Sequence, residues 1–213
     1  MEGIPNINLT QAVQGGIPGV MVQTTSAGAA PSESIMIRGR NSIKASNAPL
    51  VVIDGVAGSL NDVNPNDVQS VEVLKDASAA AIYGSRGSNG VILVTTKSGK
   101  SGETKLKYNG FYAMQRFANL PDVMTGEEFY KFKLEREPTS MTPSEQAVYD
   151  SGVFADWLGL SLREGMSTSH NLSFSGGFKN TKYYISGDLL NIKGLAVNDN
   201  YKKVTTSVML IIN

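Results

Sequence analysis

Cysteine is absent from the 213 residues, which excludes disulfides, thiolate metal sites and cysteine nucleophiles. Histidine occurs once, at position 170, so no histidine cluster can ligate a metal. Net charge is missing too. Nineteen lysines and arginines face 19 aspartates and glutamates, and the balance holds on both sides of residue 100. Without a basic excess there is no electrostatic footprint for nucleic acid. No apolar run approaches the ~18 residues of a membrane-spanning helix. The opening MEGIPNINLT has neither the basic start nor the apolar core of a signal peptide, so any export signal is expected to lie outside this chain.

Glycine, by contrast, is plentiful at 22 residues, and β-rich architectures use it for turns and bulges. Its densest use is in VEVLKDASAAAIYGSRGSNGVILVTTK (71–97), where Gly84, Gly87 and Gly90 separate an alanine run from an apolar one. A phosphate loop would follow a strand and open a helix, whose free N–H groups meet the anion. The order here is reversed. Asp76 can cap a short helix over 77–83, Gly84 fits the left-handed position past its end, and a strand follows over 91–96. The loop lies at the repelling end of the helix dipole and lacks a Gly-Lys-Ser/Thr ending. It is a structural corner, and no catalytic residue, metal or cofactor is expected.

The rest of the first hundred residues reads as a compact α+β unit. Asn8 with Gln11 can cap a short helix ended by Gly15, Gly16 and Pro18. Strands are expected over 20–25 and 35–38, the second stopping at Gly39. Another follows over 50–53, closed by the hairpin signal Asp54-Gly55, which reads Asp54 as a turn residue rather than a catalytic acid. A turn around Pro65 (64–67) precedes a strand over 71–74. The run over 91–96, apolar on both faces, belongs at the centre of a small mixed sheet. KSGKSGET (97–104) reads as a linker.

Beyond it the texture changes. Residues 104–116, 168–178, 182–192 and 201–212 alternate apolar and polar, separated at Lys179-Asn180 by a turn. Strands of this length with one apolar face are the signature of a transmembrane β-barrel. A helical insert interrupts them at about 120–163. Thr125 with Glu128 forms one capping box, and Thr142, Pro143 and Glu145 open a second helix. Phe129, Phe132 and Trp157 are expected to pack helices together rather than face a ligand. His170, on the apolar face of its strand with no acidic or serine partner nearby, reads as structural or interfacial.

Particular stretches resemble a known family. IMIRGRNSIKASNAPLVVIDGV (35–56) is similar to the paired IRG and VIDGV segments of TonB-dependent transporter plugs. NPNDVQSVEVLKDASAAAIYGSRGSNGVILVTTKSGK (64–100) resembles the SusC/RagA branch, with KDASA (75–79) where other branches carry Gly-Pro. HNLSFSGG (170–177) and TKYYISGDLLN resemble that branch's early barrel strands. The resemblance implies a plug domain over 1–100 followed, over 101–213, by the first antiparallel strands of a barrel whose lumen the plug fills. It also implies import across the outer membrane of a Gram-negative bacterium. Energy would come from the TonB complex, the partner would be a SusD-type surface lipoprotein, and the substrate an oligosaccharide or peptide. Arg38 and Lys75, with Arg86 as a weaker candidate, are then candidates for an ionic lock to carboxylates on the barrel wall. The other reading of Arg38 is a solvated strand-end charge. The family's energy-coupling segment finds no counterpart in MEGIPN, and four strands cannot close a barrel. The expectation is therefore a fragment of an importer, with a soluble plug-like binding module or a non-functional truncated product as the alternative.

Overall fold

The structure, a computed structural model, describes residues 9–13, 17, 19–24, 28–30, 32–37, 39, 47–75, 82–137 and 139–212. The cap at Asn8, Arg38, Asp76 and most of the helix expected over 77–83 fall outside them. In the first part a short helix α1 (Leu9–Val13) precedes the hairpin β1 (Val20–Thr24) and β2 (Glu33–Ile37), paired antiparallel. Strands β3 (Leu50–Ile53), β4 (Val56–Ala57), β5 (Val68–Leu74) and β6 (Val91–Thr96) form a separate sheet of order β4-β3-β6-β5. The mixed sheet is as expected, with β3 parallel and β5 antiparallel to β6. The β1–β2 hairpin is a second sheet that alternation alone did not separate from it.

β6 is central because it can be dry on both faces. Ile92 and Val94 pack with Leu9, Ile37, Leu60 and Val63, while Val91 packs with Val52 on the other side. The turn signal holds as well. Asp54 (φ 48°) and Gly55 (φ 89°) both take the left-handed region that a two-residue hairpin needs. Asp54 does more than turn: its carboxylate accepts from the Thr96 backbone N–H (2.9 Å) and hydroxyl (2.6 Å), tying that hairpin to the end of β6. At the glycine corner, Gly84 (φ 63°) opens a 3-10 turn, Gly84–Gly87, and Gly90 (φ 91°) enters β6. A Cβ at Gly90 would lie 2.8 Å from the Ile37 side chain and 3.3 Å from the Leu74 carbonyl. Close approach and positive φ together require glycine there.

Two 3-10 turns lead into β5. Ser59 and Asp62 form a capping box over Leu60–Asp62, and Asn64 caps Pro65–Asp67. Strand β5 begins at Val68, three residues before the apolar pattern, because this capped turn feeds straight into the ladder.

The second part is a four-stranded antiparallel meander, β7 (Gly102–Gln115), β8 (Gly165–Phe178), β9 (Thr181–Lys193) and β10 (Asn200–Ile212). Its burial is inside out relative to a water-soluble sheet. Ser167, Ser169, Asn171, Ser173, Ser186 and Asp188 are buried, whereas Leu106, Phe174, Val204, Val208, Leu210 and Ile212 are exposed. The polar face turns toward the first part of the chain. Between β7 and β8 lie α2 (Gly126–Arg136), α3 (Pro143–Ser151) and a short α4 (Trp157–Ser161). The first two start at the capping boxes read from sequence. The third, capped by Asp156, was not anticipated. No helix among the described residues is long and apolar enough to cross a membrane, which leaves the strands untouched as spanning elements.

Truncating the buried Ile92 to alanine removes methylenes from a site with no exposure. The expected loss is about 2–5 kcal/mol of unfolding free energy, read by denaturant titration of circular dichroism. A loss below about 1 kcal/mol would mean that β6 is not the core strand.

Candidate functional site: the seam between plug and wall

The two parts of the chain meet along a polar seam, and its centre is Asp67. This carboxylate is 2% exposed. The Asn64-capped turn carries it at its end, where the Lys97 backbone N–H donates to the Asp67 carbonyl at 2.7 Å. The Tyr184 hydroxyl donates to Oδ1 at 2.7 Å and the Ser186 hydroxyl to Oδ2 at 2.6 Å, both from the inner face of β9. A buried carboxylate needs such donors, since desolvation without them is expensive. Nearby, the Lys97 ammonium donates to the Asn66 carbonyl at 2.5 Å. Burial first, and the Lys107 ammonium second, draw the Lys97 pKa below the usual lysine range, with Asp67 acting in the opposite direction.

The seam runs the height of the wall. Above the Asp67 latch, the Lys203 ammonium of β10 donates to the Asn61 carbonyl, and the Asn64 side chain hydrogen-bonds Asp188. Higher still, the Ala29 N–H donates to the Asp199 carboxylate at 2.7 Å, and Ala29 packs on Leu190 and Ile192. Arg163 holds that end of the wall together, donating to the carbonyls of Gly194 (2.9 Å) and Asp199 (2.8 Å) and to Asn200 Oδ1 (2.9 Å). At the opposite end the stretch 97–101 is pressed on the wall: a Cβ at Gly99 would sit 2.3 Å from the Tyr183 carbonyl. The expected linker is therefore a pinned strap. On β8, the Asn171 amide opposite Asp188 and, farther up, the Ser167 hydroxyl opposite Ile192 are buried without a partner among the described residues.

The residues singled out from sequence are distributed differently. Lys75 follows the end of β5, its ammonium beside Gly19. Arg86 is exposed in the glycine corner, and Gly39 follows β2 with φ 86°. Gly87 is buried in the same corner. Sequence places Asp67 only within the turn at 64–67. Its role has no local signature, because Tyr184 and Ser186 lie 117 and 119 residues away in sequence.

The aromatics of the insert correct a sequence expectation. Phe129, Phe132 and Trp157 are 53%, 40% and 75% exposed, so they do not pack the helices together. Tyr130 and Tyr149 do, stacked with centroids 3.5 Å apart. Sequence ranked the wrong aromatics because α2 and α3 cross through one short stack, leaving a groove of about 1040 Å³ that Phe129 and Trp157 border. Glu145 joins the same helices by accepting from Lys133 at 2.5 Å.

Residues 1–91 match the family described as TonB-dependent Receptor Plug Domain. TonB-dependent receptor P3 of Formosa agariphila is 40% identical over 207 residues, covering 96% of this chain and 20% of that protein. TonB-dependent receptor SusC of Bacteroides thetaiotaomicron is 37% identical over 215 residues, covering 95% and 21%. The chain thus spans about a fifth of the length of the curated relatives it matches. Among solved structures, the RagAB peptide importer in its closed-closed state superposes with a TM-score of 0.85 at 30% identity, over 99% of this chain and 27% of that one. The siderophore receptor PirA from Acinetobacter baumannii, at 20% identity and a TM-score of 0.55, shares the fold.

Two measurements test this geometry. Tyr184→Phe removes a hydrogen bond to a charge, so it is expected to weaken plug docking by about 1.5–3 kcal/mol. In a cycle with Asp67→Asn the two effects should couple, and additivity within about 0.5 kcal/mol would dissolve the latch. The second concerns the insert. The Lys133 hydrogen bond, then those from Thr142, hold the Glu145 carboxyl at about 2 rather than the usual 4.5. A depressed folded pKa stabilises above the unfolded value and loses that effect as pH falls. The α2–α3 contact should therefore loosen between pH 4.5 and about 2. Carboxyl NMR of Glu145 reads this directly, and Lys133→Met should return its midpoint toward the unperturbed range.

Proposed function

The chain belongs to the TonB-dependent receptors of SusC/RagA type, an outer-membrane family, and on that premise we propose that it gates the lumen of a nutrient importer. Residues 1–100 act as the plug domain, and residues 101–213 begin the barrel wall around it. The observation that carries this reading is the Asp67 latch. It joins a soluble-type α+β body to the polar face of a sheet whose other face is apolar and exposed. A plug must be held yet releasable, and hydroxyl-to-carboxylate bonds of about 1.5–3 kcal/mol each suit that demand. Arg38, Lys75 and Arg86 remain candidate lock residues that would add charge contacts where the rest of the wall closes around the plug.

The transport reading is of uptake powered by TonB, as the names of the relatives suggest, and not of catalysis. The substrate class we favour is a peptide or oligosaccharide delivered with a SusD-type surface lipoprotein. The support is similarity to the protein called the RagAB peptide importer and to SusC. The exposed Phe129 and Trp157 of the insert supply a surface at the loop end for such a partner or its cargo.

Gating by plug movement is testable with a tether. A Cβ at Gly194 would lie 3.2 Å from the Ala29 Cβ, close to the ~3.8 Å of a disulfide. The Asp199 carboxylate, which would sit 2.3 Å from the same Cβ, must swing aside. Ala29→Cys with Gly194→Cys, placed in the full-length receptor, should cross-link the plug to the wall and stop uptake, with recovery on reduction. Undiminished uptake by the cross-linked protein would show that the plug need not leave the wall at this height.

A further inference from the structure

The outward face of the meander carries an ordered pattern that the plug does not use. Register places Gly110, His170, Leu189 and Val204 in one row across β7–β10, followed by Tyr108, Leu172, Gly187 and Thr206. From there the face is largely apolar down to Phe178 and Ile212. On β10 this band spans residues 204–212, nine positions, and a tilted spanning strand needs about 9–11. On β9 and β10 its upper limit is marked by Asn191 and Lys202 in the next row and by Lys193 and Asn200 in the one above, while on β7 and β8 the same rows hold Tyr112 with Thr168 and Met114 with Met166. The polar pair inside the band is satisfied internally, because the Tyr108 hydroxyl meets His170 Nδ1 at 2.6 Å.

The orientation follows from the connections. Residues 179–180 make the turn at one end, while residues 116–164 and 194–199 connect strands at the other. Outer-membrane barrels keep short turns in the periplasm and long loops outside. The row of lysines therefore lies at the boundary between hydrocarbon and headgroups of the outer leaflet. Lys202 pairs across the ladder with Asn191, and Lys193 pairs with Asn200. This makes the two lysines diagonal neighbours, roughly 7–8 Å apart at Cα. Both are exposed, and no carboxylate shares their two rows. Glu164, at the same end, is held by Arg116 at 2.9 Å.

We infer that Lys193 and Lys202, with Asn191, Asn200 and Thr168, form a site for the phosphate of an outer-leaflet lipid headgroup. Two ammonium groups supply up to six donors, and the amides and hydroxyl supply more. The apolar band directly below receives the acyl chains of the same molecule, so charge and apolar area are matched in the order a phosphorylated lipid presents them. A lysine at an anionic surface contributes about a five-fold factor in affinity, and two give roughly 25-fold. The site anchors the wall in its surroundings, independently of how the plug moves or what is imported.

The test uses the full-length receptor in detergent, titrated with lipid A and with the same lipid after phosphatase treatment. Expected is a rise in melting temperature with lipid A that is weaker for the dephosphorylated form and falls with ionic strength. Lys193→Gln with Lys202→Gln should weaken apparent binding about 25-fold, whereas arginine at both positions retains it. Lys179→Gln, at the opposite end, is a control that should leave binding unchanged. Folding of each variant is verified by its heat-modifiable migration on gels. Equal stabilisation by the dephosphorylated lipid, or unchanged binding by the folded glutamine variant, would overturn the inference and leave only acyl-chain contact with the band.

Discussion

Asp67 can lie out of water only because its own turn and two distant pieces of chain complete it. The Asn64-capped turn presents the carboxylate, Lys97 fixes its backbone, and Tyr184 with Ser186 fills both oxygens. Each donor is neutral. A carboxylate paired with buried ammonium or guanidinium would desolvate two ions, and removing either would strand the other. Hydroxyl donors avoid the second desolvation, and water can take their place wherever the contact opens. The latch is thus firm while closed and inexpensive to re-wet.

The wall explains why the seam must be polar at all. A sheet in lipid satisfies its backbone internally and turns apolar side chains outward, so its lumenal face inherits the serines, asparagines and aspartates. A plug core built as Ile92 and Val94 are could not bind such a face by apolar contact. The contact instead uses capped turns, whose carbonyls and side chains project toward the wall at Asn61, Asn64 and Asp67. The α+β body keeps its apolar residues for itself and offers its turns to the wall. The strap at 97–101 follows the same logic at the exit: glycine at position 99 lets one backbone lie directly on another.

The insert is organised by local rules. Its capping boxes, the Lys133–Glu145 pair and one tyrosine stack hold α2 and α3 together with little buried area. Large side chains such as Phe129 and Trp157 consequently remain on its surface.

Much was determined by sequence alone. The Asp54-Gly55 hairpin, the two capping boxes of the insert, the left-handed Gly84, the central β6 and the alternation of four long strands all follow from near neighbours in the chain. These features depend on backbone φ, on side chains reaching their own turn and on periodicity, and such short-range physics is written in order along the chain. Tertiary structure decided the rest: that β1 and β2 form their own sheet, that Tyr130 rather than Phe129 is the packing aromatic, and that Asp67 meets Tyr184 and Ser186 across the seam. No local pattern marks Asp67, since a carboxylate ending a turn looks the same whether it faces water or two hydroxyls more than a hundred residues away. Which of these it meets depends on where the wall folds against the turn, and only the assembled fold brings the wall there.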